Sequence, residues 1–318
     1  MLGVPQGVSR PNELISAPVR TFVRPILVAL VIFGAAVWYL SGPALLPDGA
    51  LSGIEPDIQR GEWVFYASGC ASCHSAPDAT GEDKLTLSGG RRFETQFGTF
   101  IAPNISSDPD FGIGSWTTEE FANAVIFGTS PNGQHYYPAF PYSSYVRMAP
   151  EDAVSLHAFV KTLPHSSDPS AAHEVGFPFS IRRTLGAWKH LFVRSDWVLK
   201  GDLSEKQQNG RYLVEALGHC GECHTQRNAL GGPDFDAWLA GAPNPNGKGR
   251  IPAISPDKLD WSEADIAEYL RSGFTPDYDS AGGEMAEVIE NTSRLSDADR
   301  AAIAAYLKFA SRSKGVVY

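Results

Sequence analysis

Two short motifs constrain this chain more than anything else in it: Cys70-Ala71-Ser72-Cys73-His74 and Cys220-Gly221-Glu222-Cys223-His224. C-x-x-C-H is the attachment signature of c-type haem. Each cysteine adds across one vinyl group of the macrocycle. Two intervening residues on a helical turn bring both sulfurs beneath the vinyls, and the adjacent histidine turns its ring to the iron as proximal ligand. The motifs use all 4 cysteines of the chain. At 318 residues the chain is long enough to bury a core without disulfide staples. A structural zinc would need four ligands converging, and the two pairs lie far apart in sequence.

The surroundings of the motifs repeat. Arg60-Gly61-Glu62-Trp63-Val64-Phe65 leads to the first, and Asn209-Gly210-Arg211-Tyr212-Leu213-Val214 to the second. After each comes a Gly-rich loop, Ser88-Gly89-Gly90 and Leu230-Gly231-Gly232, then a proline segment holding Pro103 and Pro252. Thr117 and Ser262 each follow a tryptophan and open a helix as N-cap residues. A last helix with apolar residues at helical spacing closes each half. Strand alternation is absent, so the expected fold is all-α: two tandem class I cytochrome c domains over 55–165 and 203–312. The stretch between, 166–202, is too apolar for a free tether and is expected to pack against one or both domains.

Ile26–Leu40 is an unbroken apolar run preceded by Arg10, Arg20 and Arg24. With its flanks, 22–46, it approaches the roughly 20 residues that span a bilayer. It reads as one transmembrane anchor, with residues 1–21 cytoplasmic and the haem domains in the periplasm. Ser41-Gly42-Pro43 reads as a helix stop, with no small-x-small site for cleavage of a signal peptide. A net charge of −10 speaks against nucleic-acid binding and suits a basic redox partner.

In Gly210-Arg211-Tyr212-Leu213-Val214-Glu215, His224-Thr225-Gln226-Arg227-Asn228, Phe177-Pro178-Phe179 and His135-Tyr136-Tyr137-Pro138-Ala139-Phe140-Pro141-Tyr142, the chain resembles the multihaem cytochrome c subunits of periplasmic alcohol, fructose and gluconate dehydrogenases. Those subunits usually carry three haems and are exported through a cleaved signal. This chain has two motifs and an apparent anchor. The resemblance implies that the backbone carbonyls of Pro103 and Pro252 bind the ring N–H of His74 and His224, fixing the tautomer.

A low-spin haem needs a second axial ligand, commonly a methionine. Beyond Met1 there are only Met148 and Met285, one per haem domain. Met285, in a Gly-rich loop before the last helix, is the expected ligand of the second iron. For the first, three readings stand. Met148 reaches the iron; or His135 does; or the position is open or otherwise filled, since Phe140 occupies the place where family members carry methionine. The expected function is electron relay from a periplasmic dehydrogenase or quinol-oxidising complex to a terminal oxidase or soluble cytochrome, with no bond chemistry of the chain's own. A dihaem peroxidase and the anchored dihaem subunit of a haem–copper oxidase are the competing readings.

Overall fold

The computed structural model describes residues 18–245, 249–255 and 257–309. They fall into two compact units, one ending at Gly42 and one beginning at Pro43. The first unit is helix α1 (Pro18–Leu40). Its apolar side chains from Ile26 to Leu40 are mostly exposed. Among the described residues no helix is long and apolar enough to cross a membrane. The expected cytoplasmic segment 1–21 lies outside the described residues up to residue 17, and 18–21 belong to α1. The expected anchor limit at residue 46 also moves. The helix stops at Leu40, and the segment beyond Gly42 joins the second unit: Leu46 N–H donates to Asn123 Oδ1 (2.7 Å) and Ala44 O accepts from Thr129 Oγ1 (2.9 Å).

The second unit holds both haem domains. The first domain contains α2 (Ile58–Ala67), α3 (Cys70–His74), a hairpin of β1 (Arg92–Thr95) and β2 (Gly98–Ile101), then α4 (Thr118–Phe127), α5 (Tyr142–Tyr145) and α6 (Pro150–Val160). The linker carries α7 (Thr184–Phe192). The second domain contains α8 (Glu205–Arg211), which runs on as a π-helical turn over Tyr212–Leu217, then α9 (Gly221–His224), a hairpin of β3 (Ala242–Pro243) and β4 (Arg250–Ile251), α10 (Glu263–Ser272), α11 (Glu284–Thr292) and α12 (Asp297–Phe309). The purely helical expectation therefore needs correcting by two small antiparallel hairpins. They escape a periodicity reading because their strands are four and two residues long.

Local chemistry starts and stops these helices. Asp57 accepts the N–H groups of Gln59 and Arg60 to begin α2. Thr117 with Glu120, and Ser262 with Asp265, form reciprocal capping boxes on α4 and α10. Gly128 and Gly273 end the same two helices in the left-handed conformation. In each domain the first long helix crosses the last at a glycine. A methyl group at Gly61 would overlap the carbonyl of Ser155, and one at Gly210 the carbonyl of Ala302. Only the absence of a side chain lets the backbones come this close.

The linker packs against both domains. Glu174 pairs with Thr99 at the edge of β2. Lys189 Nζ donates to the carbonyls of Phe127 (2.6 Å) and Gly128 (2.8 Å), capping the C-terminal end of α4, and lies 4.5 Å from the centre of the Tyr142 ring. Trp188 Nε1 donates to Leu230 O (2.8 Å), and the N–H groups of Val198 and Leu199 donate to Glu215 (2.6 and 3.1 Å).

One buried histidine gives the first domain a pH response. The His157 ring lies flat on Phe121, 4.7 Å between centres, with Nδ1 3.2 Å from Thr118 Oγ1. Burial, aided by Lys161, pulls it down to about 4. The folded protein thus binds fewer protons here than the unfolded chain. The stability this supplies is complete above the ordinary value of 6.5 and is lost as pH falls toward 4. Urea midpoints are expected to show a loss of about 2 kcal/mol over that window from this group. A His157→Phe variant, which keeps the stack, is expected to lose correspondingly less. Identical pH profiles for the two proteins would contradict the assignment.

Candidate haem sites and their interface

Each attachment motif forms one short helical turn, α3 or α9, with its cysteines unpaired. The two sites are built alike. His74 Nδ1 lies 3.0 Å from Pro103 O, and His224 Nδ1 lies 2.7 Å from Pro252 O. A carbonyl can only accept, so Nδ1 carries the proton and Nε2 keeps its lone pair for a metal. Burial lowers both histidines while the proline carbonyls oppose it. Gly89 N–H donates to His74 O (2.7 Å), and Gly241 N–H to His224 O (2.8 Å). Both glycines are left-handed (φ 77° and 84°) and lie under the proline segments, where a methyl at Gly89 would come 2.5 Å from Ala102 O. The carbonyls of Leu87 and Leu239, both fully buried, accept from the N–H groups of Ile105 and Ile254 and so hold equivalent places in the two domains. The structural partner of Gly89 is therefore Gly241, and not the Leu230–Gly232 turn that the sequence spacing suggests.

These residues fit covalent haem. Burial pushes the thiols of Cys70 and Cys220 up to about 12 and that of Cys73 to about 11. A redox-active or metal-binding C-x-x-C lowers its thiol pKa instead. Uncharged thioethers suit such a setting, and each histidine is held neutral with one nitrogen free.

Each motif touches the other domain, and the contacts are reciprocal. Ser72, inside the first motif, has its hydroxyl 2.8 Å from Asn291 Nδ2 on α11; Glu222, at the same place in the second, accepts from Ser143 (2.6 Å) and Ser144 (3.1 Å) on α5. Trp63 Nε1 donates to Asp299 (3.0 Å), and Tyr212 OH to Asp152 (2.5 Å). His219, which precedes Cys220, reaches Ser68 O of the first domain at 3.4 Å and meets the Tyr145 ring edge-on. The Cys73 thiol sits close enough to Cys223 to feel its charge. Arg147, of the first domain, lies 4.0 Å from the fully buried Glu215 of the second. None of these pairings is visible in the sequence except as a charged residue, Glu215, inside the apolar stretch Leu213–Leu217.

The expected axial residues take different places. Met285 stands in the first turn of α11, partly buried against the core. Met148 is 4% exposed in the core cluster, just before α6, where the second domain has Leu295 at 5% before α12. His135 is buried and pairs through its backbone with Thr129.

Two short motifs, each presenting two thiols and a tautomer-locked imidazole within one duplicated fold, define a protein built to hold two haems. A profile of cytochrome c matches residues 58–164 and again 207–311, and the chain belongs to the cytochrome c family. It is 56% identical over 282 residues to a diheme cytochrome c-type protein of Cereibacter sphaeroides, covering 89% of this chain and 95% of that one. It is 39% identical over 262 residues to the fructose dehydrogenase cytochrome subunit of Gluconobacter japonicus, covering 80% of this chain and 52% of the subunit. To the gluconate 2-dehydrogenase cytochrome c subunit of Pantoea cypripedii it is 34% identical over 283 residues, covering 85% and 62%. The chain thus spans about half the length of the fructose dehydrogenase subunit.

Proposed function

We propose that this chain is a membrane-anchored dihaem cytochrome c of the bacterial inner membrane. It takes electrons from a dehydrogenase on the periplasmic side and passes them through its two haems to a terminal oxidase or a soluble cytochrome. The observation that carries this reading is the reciprocal interface, which ties each attachment motif to a helix of the other domain, Ser72 to Asn291 and Glu222 to Ser143. The similarity to the cytochrome subunits of fructose and gluconate dehydrogenases supports a dehydrogenase donor. The apolar run Ile26–Leu40 supports an anchor.

Haem, when bound, supplies a one-electron iron couple. Cys70, Cys73, Cys220 and Cys223 would hold it covalently, and His74 and His224 would present Nε2 to the iron. Pro103 and Pro252 orient those rings. The interdomain hydrogen bonds hold the two motifs at a fixed separation, so little rearrangement accompanies a change of charge. In the second domain Met285 would complete the coordination. Replacing it with leucine is expected to lower that haem's potential by a sizeable share of the roughly 0.8 V range that axial ligands command. A potentiometric titration with an unchanged upper potential would remove Met285 from this role.

The donor is tested by purifying the full chain from detergent-solubilised membranes. The expected result is a co-purifying dehydrogenase subunit whose substrate reduces both haems. Purification alone, with reduction by a quinol and by no dehydrogenase substrate, would overturn the donor. Removal of residues 1–42 is expected to release the haem domains in soluble form, and retention in the membrane would contradict the anchor.

A further inference from the structure

The two domains share a frame that allows their distal loops to be compared residue by residue. Gly128 and Gly273 end α4 and α10 in the same left-handed conformation. Each is followed by a single antiparallel bridge, Thr129 with His135 and Phe274 with Ser280. Counting on from these bridges, Phe140 falls where Met285 falls. The frame resumes at the last helices, whose starts place Met148 opposite Leu295. Both are buried core residues, and their N–H groups close equivalent turns, onto Tyr145 O (2.8 Å) and Thr292 O (3.2 Å). His135 stands on the bridge itself, opposite Ser280, so the duplication gives it no ligand counterpart. Around Phe140 are the edges of Tyr136 (6.0 Å between centres), Tyr142 (6.4 Å) and Tyr145 (6.0 Å).

A phenyl ring has no lone pair to give a metal. We propose that the iron held by His74 has an exchangeable sixth position beside Phe140, open to small neutral diatomic ligands, while Met285 closes the position in the second domain. This rests on the dihaem reading above. Distal polarity and steric access decide what such a site accepts, and a cluster of aromatic rings favours uncharged diatomics over anions. Met148 serves as core packing.

The test uses the full-length holoprotein in detergent, with covalent haem counted first. Carbon monoxide is titrated into the reduced protein, and spin state is read from the oxidised protein by electron paramagnetic resonance. The expected result is one carbon monoxide bound per two haems, and one high-spin and one low-spin iron. Phe140→Met is expected to abolish carbon monoxide binding and add a second methionine–iron charge-transfer band. Met148→Leu is expected to leave one carbon monoxide bound and one such band. Two covalent haems with no carbon monoxide bound would overturn the open position alone. So would a new carbon monoxide site created by Met148→Leu, which would make Met148 the ligand. Fewer than two covalent haems would overturn the dihaem reading itself, and this inference with it.

Discussion

Replacing Gly61 with alanine is expected to destabilise the protein by about 3 kcal/mol or more, at the upper end of what overpacking costs. The added methyl meets the carbonyl of Ser155 and the Cβ of Phe159, so the main chain of α6 must move. A main chain inside a hydrogen-bonded helix yields far less readily than the tip of a side chain. The same argument applies to Gly210→Ala, where the obstacle is Ala302 O and the Cβ of Tyr306. Gly176→Ala provides the control. Nothing lies within 4 Å of the added atom there, and the expected change stays within about 0.5 kcal/mol. Urea midpoints of the three variants decide the matter. A Gly61→Ala protein as stable as the control would mean that α2 and α6 do not cross as described.

Glu215→Ala is expected to cost about 3–5 kcal/mol, the usual penalty for breaking a buried ionic group and leaving its partners unmatched. The carboxylate is fully buried and accepts from Val198 N–H, Leu199 N–H and Tyr306 OH, with Arg147 of the other domain 4.0 Å away. Arg147 itself binds Ser143 O (3.0 Å) and Asp196 O (2.9 Å). Its loss of a counter-charge therefore loosens the first domain and the linker as well as the second. Glu215→Gln keeps an acceptor and is expected to cost less. Burial raises the Glu215 carboxyl above its ordinary 4.5, against the opposing hydrogen bonds and Arg147. The folded protein thus binds more protons here. The stability tied to that shift is present below pH 4.5 and is lost as pH rises through the raised value. This slope is opposite to that of His157. Glu215→Gln is expected to remove it, and an unchanged slope would place the titrating group elsewhere.

Much of this architecture is legible in the sequence because its signals are local. Thr117 with Glu120 and Ser262 with Asp265 announce two helices by their caps. The motifs state their own chemistry, and Pro103 and Pro252 follow His74 and His224 by 29 and 28 residues. The interface is different. Ser72 and Glu222 gain meaning only when distant helices arrive beside them, and nothing near them in the chain says which helices those are. The pairing of Gly89 with Gly241 was hidden because the loops between histidine and glycine differ in length. The end of α1 at Leu40 agrees with the stop read at Ser41-Gly42-Pro43, but that Ala44 and Leu46 bond to the first haem domain could not be read from the chain. For the distal loops the family resemblance already points to Phe140 as the place that corresponds to a methionine. The backbone bridges at His135 and Ser280 give the same correspondence between Phe140 and Met285 from within the chain.

In the proposed relay the two haem sites form one electronic unit. The most direct measurement injects fewer electrons than there are haems into the oxidised full-length protein by a light pulse, then follows the two haem spectra as the electron redistributes. An internal relay requires a first-order equilibration between the haems whose rate does not change with protein concentration. Redistribution whose rate rises in proportion to concentration would mean that electrons pass only between molecules, and would contradict a relay built into this fold.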